Sequence, residues 1–266
     1  MKLHTIKKLL LGLVVIGLAG CGSLDEVPFD RLAADTYYQD KTSILASLFR
    51  TYEHGHWYSH NDRFHLQEMS ADHFVWTQKG RHGYDGGQWV RIHHHTWTPE
   101  DGWIRGGWEG GFQGVGYANN SIADFEKLKF EEFGLTEADK AQYITELKAI
   151  RAWYYIWLLD LYRNIPIVEK VGGDLPTQST PQEVFDFIEK EIKDNVVHLP
   201  KGPKENYQGR FTQAGLMTLL ARLYLNAEVW IGKPMYTECA KICEDIISGV
   251  YGNYSLANDW RDNFSY

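Results

Sequence analysis

Apolar residues recur at three- and four-residue spacing along most of the chain, and this periodicity predicts amphipathic helices. The predicted helices are 41–54, 99–128, 137–163, 181–197, 212–229 and 234–248. Several begin at a threonine followed by an acid at the third helical position, an arrangement that caps the free backbone N–H groups of a helix start. These starts are Thr98-Pro99-Glu100-Asp101, Thr136-Glu137-Ala138-Asp139 and Thr180-Pro181-Gln182-Glu183.

Three of the predicted helices share a small residue followed three positions later by tyrosine. The pairs are Gly114/Tyr117, Ala152/Tyr155 and Ala221/Tyr224. Residues three apart lie on one helix face, so the small residue admits a neighbouring helix and the tyrosine fills the adjacent groove. Tetratricopeptide repeats pack helix pairs in this way. The pattern predicts a mainly α fold built as a tetratricopeptide-like scaffold of helical pairs, with ordinary helical packing as the alternative.

The stretch from 55 to 97 lacks a sustained helical period. It contains most of the histidines of the chain and Trp57, Trp76, Trp89 and Trp97, and Gly86-Gly87 within it predicts a turn. We therefore expect an irregular, aromatic-rich loop insertion on the helical scaffold. Functional side chains are common in such insertions.

The N-terminus carries the features of a lipoprotein signal. Residues 1–20 have a basic start and a short apolar run that ends in small residues before Cys21. The run is shorter than the ~20 residues that span a bilayer. The order of these features predicts a signal peptide over 1–20, lipidation of Cys21 and a polar tether over 21–35, with a secreted protein and an incidental cysteine as the alternative.

The net charge of the chain limits the classes of molecule that it is expected to bind. The chain has a net charge of −8, and removal of the lysines of the signal makes the mature chain more acidic. An acidic protein is a poor ligand for nucleic acid. Aromatic residues make up 14% of the chain, with ten tryptophans. Flat rings of this kind suit a neutral ligand such as a sugar, because the C–H face of a sugar stacks on an indole.

Residues 89–97 supply the ligand hypothesis. In an extended segment with period two, Trp89, Arg91, His93, His95 and Trp97 share one face, and the apolar residues between them pack on the scaffold. Such a face offers rings for stacking and donors for hydroxyl groups. We expect Trp89, Arg91 and His95 to bind ligand, together with Trp76 as a stacking ring. Trp97 fits this face as well as a core position.

Metal binding and catalysis are weaker interpretations of the same residues. His93 and His95 make an HxH pair, but neither an HExxH motif nor a cysteine set accompanies it. Glycoside hydrolysis needs two carboxylates on either side of the scissile bond. The acids near the aromatic stretch are Asp72, Asp85, Glu100 and Asp101. Nothing in the sequence marks one of them as a buried acid, so we expect neither a metal, nor a cofactor, nor catalysis.

The mature chain resembles the SusD/RagB family of outer-membrane nutrient-binding lipoproteins. Besides Cys21, the resemblance rests on the order and spacing of several stretches. They are LQEMSADHFVW (66–76), YDGGQWVRIHHHTWTP (84–99), WEGGFQGVGYANN (108–120), ELKAIRAWYYIWLLDLYRNIPIV (146–168), TPQEVFDFIEKEIKDNVVHLP (180–200) and GRFTQAGLMTLLARLYLNAEVW (209–230).

The resemblance implies a helical platform over 36–266 that carries a looped ligand-binding surface. It implies a glycan ligand, with Asp72 at the acidic position of the family. It also implies a SusC-like TonB-dependent transporter as partner, at the cell outer membrane. Family members are usually much longer, which implies that this chain is truncated at its C-terminus. A glycoside hydrolase, a helical-repeat scaffold and a peptide-binding lipoprotein remain the alternatives.

Overall fold

The computed structural model describes residues 34–202 and 207–264. The chain divides into two compact units, 1–38 and 39–266, and the first contributes only its last five residues to the described part. The predicted signal peptide and Cys21 lie outside the described residues. The predicted tether also lies outside the described residues, up to residue 33. Its last two residues belong to a short helix, α1 (Ala34–Tyr37).

The second unit is built from α-helices joined by turns, which confirms the mainly α fold. In chain order the α-helices are α2 (Lys41–His60), α3 (Asp62–Ser70), α4 (Gln88–His93), α5 (Gly102–Lys127), α6 (Glu137–Tyr162), α7 (Pro181–Asn195), α8 (Gln213–Leu225), α9 (Ala227–Ile231) and α10 (Tyr236–Ile247). Short 3-10 turns occur at Asp85–Gly87, Phe130–Phe133, Val196–His198 and Trp260–Phe264. Among the described residues, β-structure is confined to two isolated bridges.

Capping residues fix the starts of the long helices where the sequence predicts them. The Thr136 and Thr180 side chains each accept a hydrogen bond from the third helical N–H, and the acid at that position reaches back, which completes two capping boxes. The prediction for α5 was wrong by three residues. Its N-cap is Asp101 rather than Thr98, because the backbone N–H of Thr98 donates to the Asp101 carboxylate and closes a turn there.

Most consecutive helices pack against each other, and α5 and α6 share the most extensive contact among the described helices. Glycines on α5 make this approach possible. A Cβ added at Gly114 would lie 2.1 Å from Cζ of Tyr154, and one at Gly111 would lie 2.6 Å from a methyl group of Leu158. The predicted small-residue contact at Gly114 is thus confirmed. Ala152 and Ala221 are buried as well.

Helix α6 runs through the centre of the core. Its buried side chains include Leu147, Tyr154, Tyr155 and Leu158. The core continues through apolar residues of α7 and α8, where Phe185 stacks on Tyr224. The turns that hold Trp76 and Trp97 lie before and after α4.

A buried carboxylate fastens the segment before α8 to the bundle. Glu146 on α6 is fully buried and accepts hydrogen bonds from Arg210, Tyr207 and Tyr52. Burial, and then the negative charge of Glu146, raise the pKa of the Tyr52 hydroxyl well above its ordinary value. The tyrosines therefore stay protonated and keep donating to the carboxylate.

The structure corrects the prediction that 55–97 is irregular throughout. Helix α2 continues to His60, α3 follows after one residue, and α4 lies near the end of the stretch. Within this stretch, helix is absent only at Asn61, 71–84 and 94–97. No described helix combines the length and apolar character needed to cross a membrane.

Candidate functional site

Four ring side chains form a stack that ends at the surface, which we call the indole stack. Trp76 is 50% exposed and lies on Trp89, with ring centroids 5.1 Å apart and an interplanar angle of 28°. Behind Trp89 lie Trp103 at 5.2 Å and His65, which itself stacks on Trp103 at 4.2 Å. Buried Trp89 covers one face of the outer indole, so the opposite face of Trp76 is available to a flat ligand.

The turn before α4 places Trp89 inside this stack. Gly86 and Gly87 both have positive φ, a backbone conformation that favours glycine, so the predicted turn is confirmed. The Trp89 indole N–H donates to Asp85 at 2.7 Å. Trp89 is only 5% exposed. The expectation that it presents its ring to a ligand is therefore corrected: it supports Trp76 from below.

A second glycine is needed for Trp76 itself. Gly83 has φ +79°, and a Cβ there would lie 2.9 Å from the carbonyl oxygen of Thr77 and 3.0 Å from Nε1 of Trp76. The loop thus folds back on the indole at a point where only hydrogen fits. This contact fixes the edge of the ring, while Trp89 fixes its face.

The prediction that residues 89–97 form an extended segment was wrong, because residues 88–93 form a helix. At helical spacing, Trp89 and His93 lie on one face of α4, and Arg91 points to the opposite side. Arg91 donates from Nε and Nη2 to the carboxylate of buried Asp101, and from Nη1 to the carbonyl of Gly86. The hydrogen bonds from Arg91 lower the pKa of Asp101. Arg91 therefore ties the turn to the start of α5, and most of its donors are engaged.

Asp72 lies in the turn that follows α3. Its φ is +60°, its side chain is exposed, and its carboxylate lies 3.2 Å from Nδ1 of His93. The backbone N–H groups of His73 and Phe74 both donate to the carbonyl of Glu68 and close this turn. Asp72 keeps acceptor capacity towards solvent, because a carboxylate has about four lone-pair sites.

His95 and Trp97 form a separate pair. Their ring centroids are 5.3 Å apart, and Nε2 of His95 lies 2.8 Å from the carbonyl oxygen of Ser70. Trp97 is 42% exposed and lines a pocket of about 330 Å³. We call it the Trp97 pocket. The other lining residues come from α3, α4, α5 and α6: Leu66, Gln67, Ser70, Ile92, Ile104, Asp160, Leu161 and Tyr162.

Four of the six predicted site residues therefore fall into two groups. Trp76 and Trp89 belong to the indole stack, whereas Trp97 lines the Trp97 pocket and His95 packs against Trp97 without lining the pocket. Sequence reasoning missed the polar lining of that pocket, Gln67, Ser70 and Asp160. Asp160 is far along the chain on a helix that looks like pure core, so no local signal marks it.

A larger cleft of about 1100 Å³ lies between α5, α6 and α7, away from both ring groups. Its buried charges, Arg151 and Glu191, are paired with each other, and so are the exposed Lys190 and Asp194. None of the predicted site residues lines it. We therefore place the candidate site at the exposed rings, not at this cleft.

The geometry offers little to catalysis or metal binding. Burial raises the pKa of Asp62, but this carboxyl lies under Gly106 and Gly110 of α5 and is 5% exposed, so a glycan cannot reach it. Asp85 and Asp101 accept hydrogen bonds from Trp89 and Arg91. Within the part of the chain that the structure describes, no three histidine, cysteine or carboxylate side chains are grouped to hold a metal ion.

Fold and site together define a helical protein with an outward-facing aromatic surface. The model of one protein family, SusD-like, described as "Starch-binding associating with outer membrane", matches residues 24–225. The chain belongs to this family, which confirms the resemblance found in the sequence. The starch-binding protein SusD of Bacteroides thetaiotaomicron is 27% identical over 207 residues, which cover 75% of this chain and 35% of that protein.

Solved structures show the same fold. A laminarin-binding SusD-like protein superposes with a TM-score of 0.71 at 22% identity, over 85% of this chain and 48% of the other. Surface glycan-binding protein A from Bacteroides thetaiotaomicron, solved in complex with laminarihexaose, gives 0.61 at 20% identity, over 85% and 46%. The chain thus spans less than half the length of these relatives.

Proposed function

We propose that this protein binds an oligosaccharide or polysaccharide at the cell surface and delivers it to a SusC-like TonB-dependent outer-membrane transporter, without catalysing a reaction. The observation that carries the proposal is the half-exposed Trp76 held on buried Trp89, in a chain of a family described as starch-binding. An indole fixed in this way matches the C–H face of a sugar and loses little freedom when the sugar binds.

The six predicted ligand residues take different roles in this proposal. Trp76 and Trp97 stack on sugar rings, since both are exposed. Asp72 and His95 are also exposed and exchange hydrogen bonds with sugar hydroxyls. Trp89 and Arg91 act indirectly, because one supports Trp76 and the other anchors the turn to α5.

The location follows from the N-terminal sequence and the family. Acyl chains on Cys21 would hold the protein on the outer membrane, and a family description of outer-membrane association supports that position. Substitution Cys21→Ala is expected to abolish incorporation of labelled fatty acid and to release the protein from the membrane fraction. Retention of both label and membrane recovery in the variant would refute the anchor.

The binding proposal is tested by affinity electrophoresis of the chain in gels that contain laminarin or starch. The wild type is expected to be retarded in at least one of these gels. Trp76→Ala is expected to weaken binding about tenfold or more, because the sugar loses its stacking partner. Trp57→Ala is the matched control, since Trp57 is 40% exposed but belongs to neither ring group, and it should leave retardation unchanged.

A second measurement addresses catalysis. Incubation of the chain with end-labelled laminarihexaose should leave the oligosaccharide intact. Release of shorter labelled products would favour the glycoside hydrolase alternative.

The electrophoresis experiment can contradict glycan binding. This would be the result if neither laminarin nor starch retarded the wild-type protein in its gel.

A further inference from the structure

The Trp97 pocket carries chemistry that the indole stack does not. Its apolar side consists of Trp97 with Leu66, Ile92 and Ile104, and its polar side consists of Gln67, Ser70 and Asp160. A volume of about 330 Å³ lies at the small end of ligand sites, which range over about 300–1000 Å³. The pocket is therefore suited to a single small, two-faced group such as one sugar unit.

Donors on the polar side are already engaged inside the protein. The Tyr162 hydroxyl donates to the carbonyl of Ile104 at 2.6 Å, and the Ser70 hydroxyl donates to the carbonyl of Leu66 at 2.6 Å. Gln67 donates one of its two amide protons to Oδ2 of Asp160 at 2.7 Å. What remains towards the pocket is mainly acceptor capacity, on the Ser70 hydroxyl and the Asp160 carboxylate.

The charge of the Trp97 pocket also favours a ligand that donates hydrogen bonds. Asp160 is the one charged residue among those that line the pocket. Two arginines lie close to Asp160 and one of them, Arg163, forms an ion pair with it, but neither lines the pocket. Arg63 donates to Oε1 of Gln67, and Arg163 donates to the carbonyls of Leu159 and Asp160 and lies 3.9 Å from Oδ1. Oδ1 of Asp160 also accepts a hydrogen bond from the indole N–H of Trp230, which does not line the pocket.

We infer that the Trp97 pocket binds one sugar unit through its hydroxyl donors and selects neutral sugars against uronic acids. This inference rests on the proposed function and specifies its ligand. A neutral sugar brings hydroxyl protons to Asp160 and Ser70 and lays its C–H face on Trp97. A uronic acid brings a carboxylate that finds few free donors and meets the charge of Asp160, which costs binding free energy near a protein surface.

The test compares laminarihexaose with its C6-carboxylate form, made by oxidising the primary alcohols, as ligands of the full chain in calorimetric titration. The wild type should bind the neutral form at least about tenfold more tightly. Asp160→Asn should reduce this preference to less than about threefold, because Asn removes the charge and adds a donor. Trp97→Ala, at an exposed position, should weaken the neutral form about tenfold.

Controls separate this inference from the proposed function. Trp76→Ala should weaken both forms by a similar factor and leave the preference for the neutral form unchanged. Equal binding of both forms by the wild type, or an undiminished preference in an Asp160→Asn variant of wild-type Tm, would overturn the pocket assignment while glycan binding stands. Absence of binding to either form, together with unretarded migration in polysaccharide gels, would overturn both.

Discussion

At the scale of single residues, the two tryptophans of the indole stack have opposite exposure and complementary roles. Trp89 is buried and its N–H is bound to Asp85, so its ring has one orientation. Trp76 lies on that ring with half of its surface exposed. The exposed ring is therefore oriented before any ligand arrives, which reduces the entropy lost on binding.

Gly83 should be as important to ligand binding as the rings themselves. Gly83→Ala adds a methyl group that meets Thr77 O and Trp76 Nε1 at about 3 Å, in a backbone conformation that disfavours alanine. We expect glycan affinity to fall about as far as in Trp76→Ala, with only a small change in Tm because the loop is exposed. Affinity electrophoresis and thermal unfolding measure the two effects.

Gly80→Ala provides the matched control for Gly83. Gly80 has a φ of +58° in the same loop, but an added Cβ has nothing within 4 Å. It tests backbone strain without the contact to Trp76. Equal affinities of the two variants and the wild type would show that the loop adapts and that Trp76 is not fixed by Gly83.

At the scale of helices, close approach decides the arrangement of α5 and α6. Glycines are poor helix formers, yet α5 carries Gly107, Gly110, Gly111 and Gly114 on its buried side. The loss of helix propensity is offset by contact, since aromatic and apolar side chains of α2, α3 and α6 lie against these positions. The close contacts with neighbouring helices thus explain why α5 is rich in glycine.

Gly114→Ala should destabilise the protein strongly. The new Cβ would lie 2.1 Å from the Tyr154 ring, which is fully buried and cannot move aside. We expect a loss of about 3 kcal/mol in the free energy of unfolding, measured by urea denaturation.

The neighbouring Gly116 offers the control for this change. An added Cβ at Gly116 meets nothing within 4 Å, so Gly116→Ala should stabilise the helix by up to about 1 kcal/mol. Similar stabilities of the two variants would mean that α5 and α6 separate readily and that the glycine contact does not define the fold.

At the scale of the whole molecule, the buried Glu146 joins parts of the chain that are far apart in sequence. It receives Tyr52 from α2 and both Tyr207 and Arg210 from the segment before α8. Arg210 also lies over the Tyr207 ring, 4.3 Å from its centroid. One carboxylate on α6 therefore connects α2 with the segment before α8.

Glu146→Ala should cost about 3–5 kcal/mol, because it leaves the Arg210 guanidinium and two tyrosine hydroxyls without their acceptor in the interior. Urea denaturation measures this loss in the free energy of unfolding. Glu132→Ala is the comparison, since Glu132 pairs with Lys129 at the exposed surface and should cost at most about 1 kcal/mol. Equal losses in the two variants would show that the Glu146 network does not hold the bundle together.

The sequence by itself determined the long helices, two of their capping boxes, the glycine turn at Gly86-Gly87 and the family. These follow from local patterns, because helix periodicity, N-caps and turn residues act within a few positions of the chain. It misjudged residues 88–93, since two glycines and a dense run of rings obscured a helix of only six residues.

Only the tertiary structure decided which side chains are available to a ligand. Trp76 and Trp89 are the same residue type, and the packing of α3, α4 and α5 buries one and exposes the other. Arg91 is engaged because Asp101 lies beside it, and Asp160 reaches the Trp97 pocket from a distant helix. The physical reason is that burial and hydrogen bonding depend on neighbours brought together by folding, which local sequence patterns do not encode.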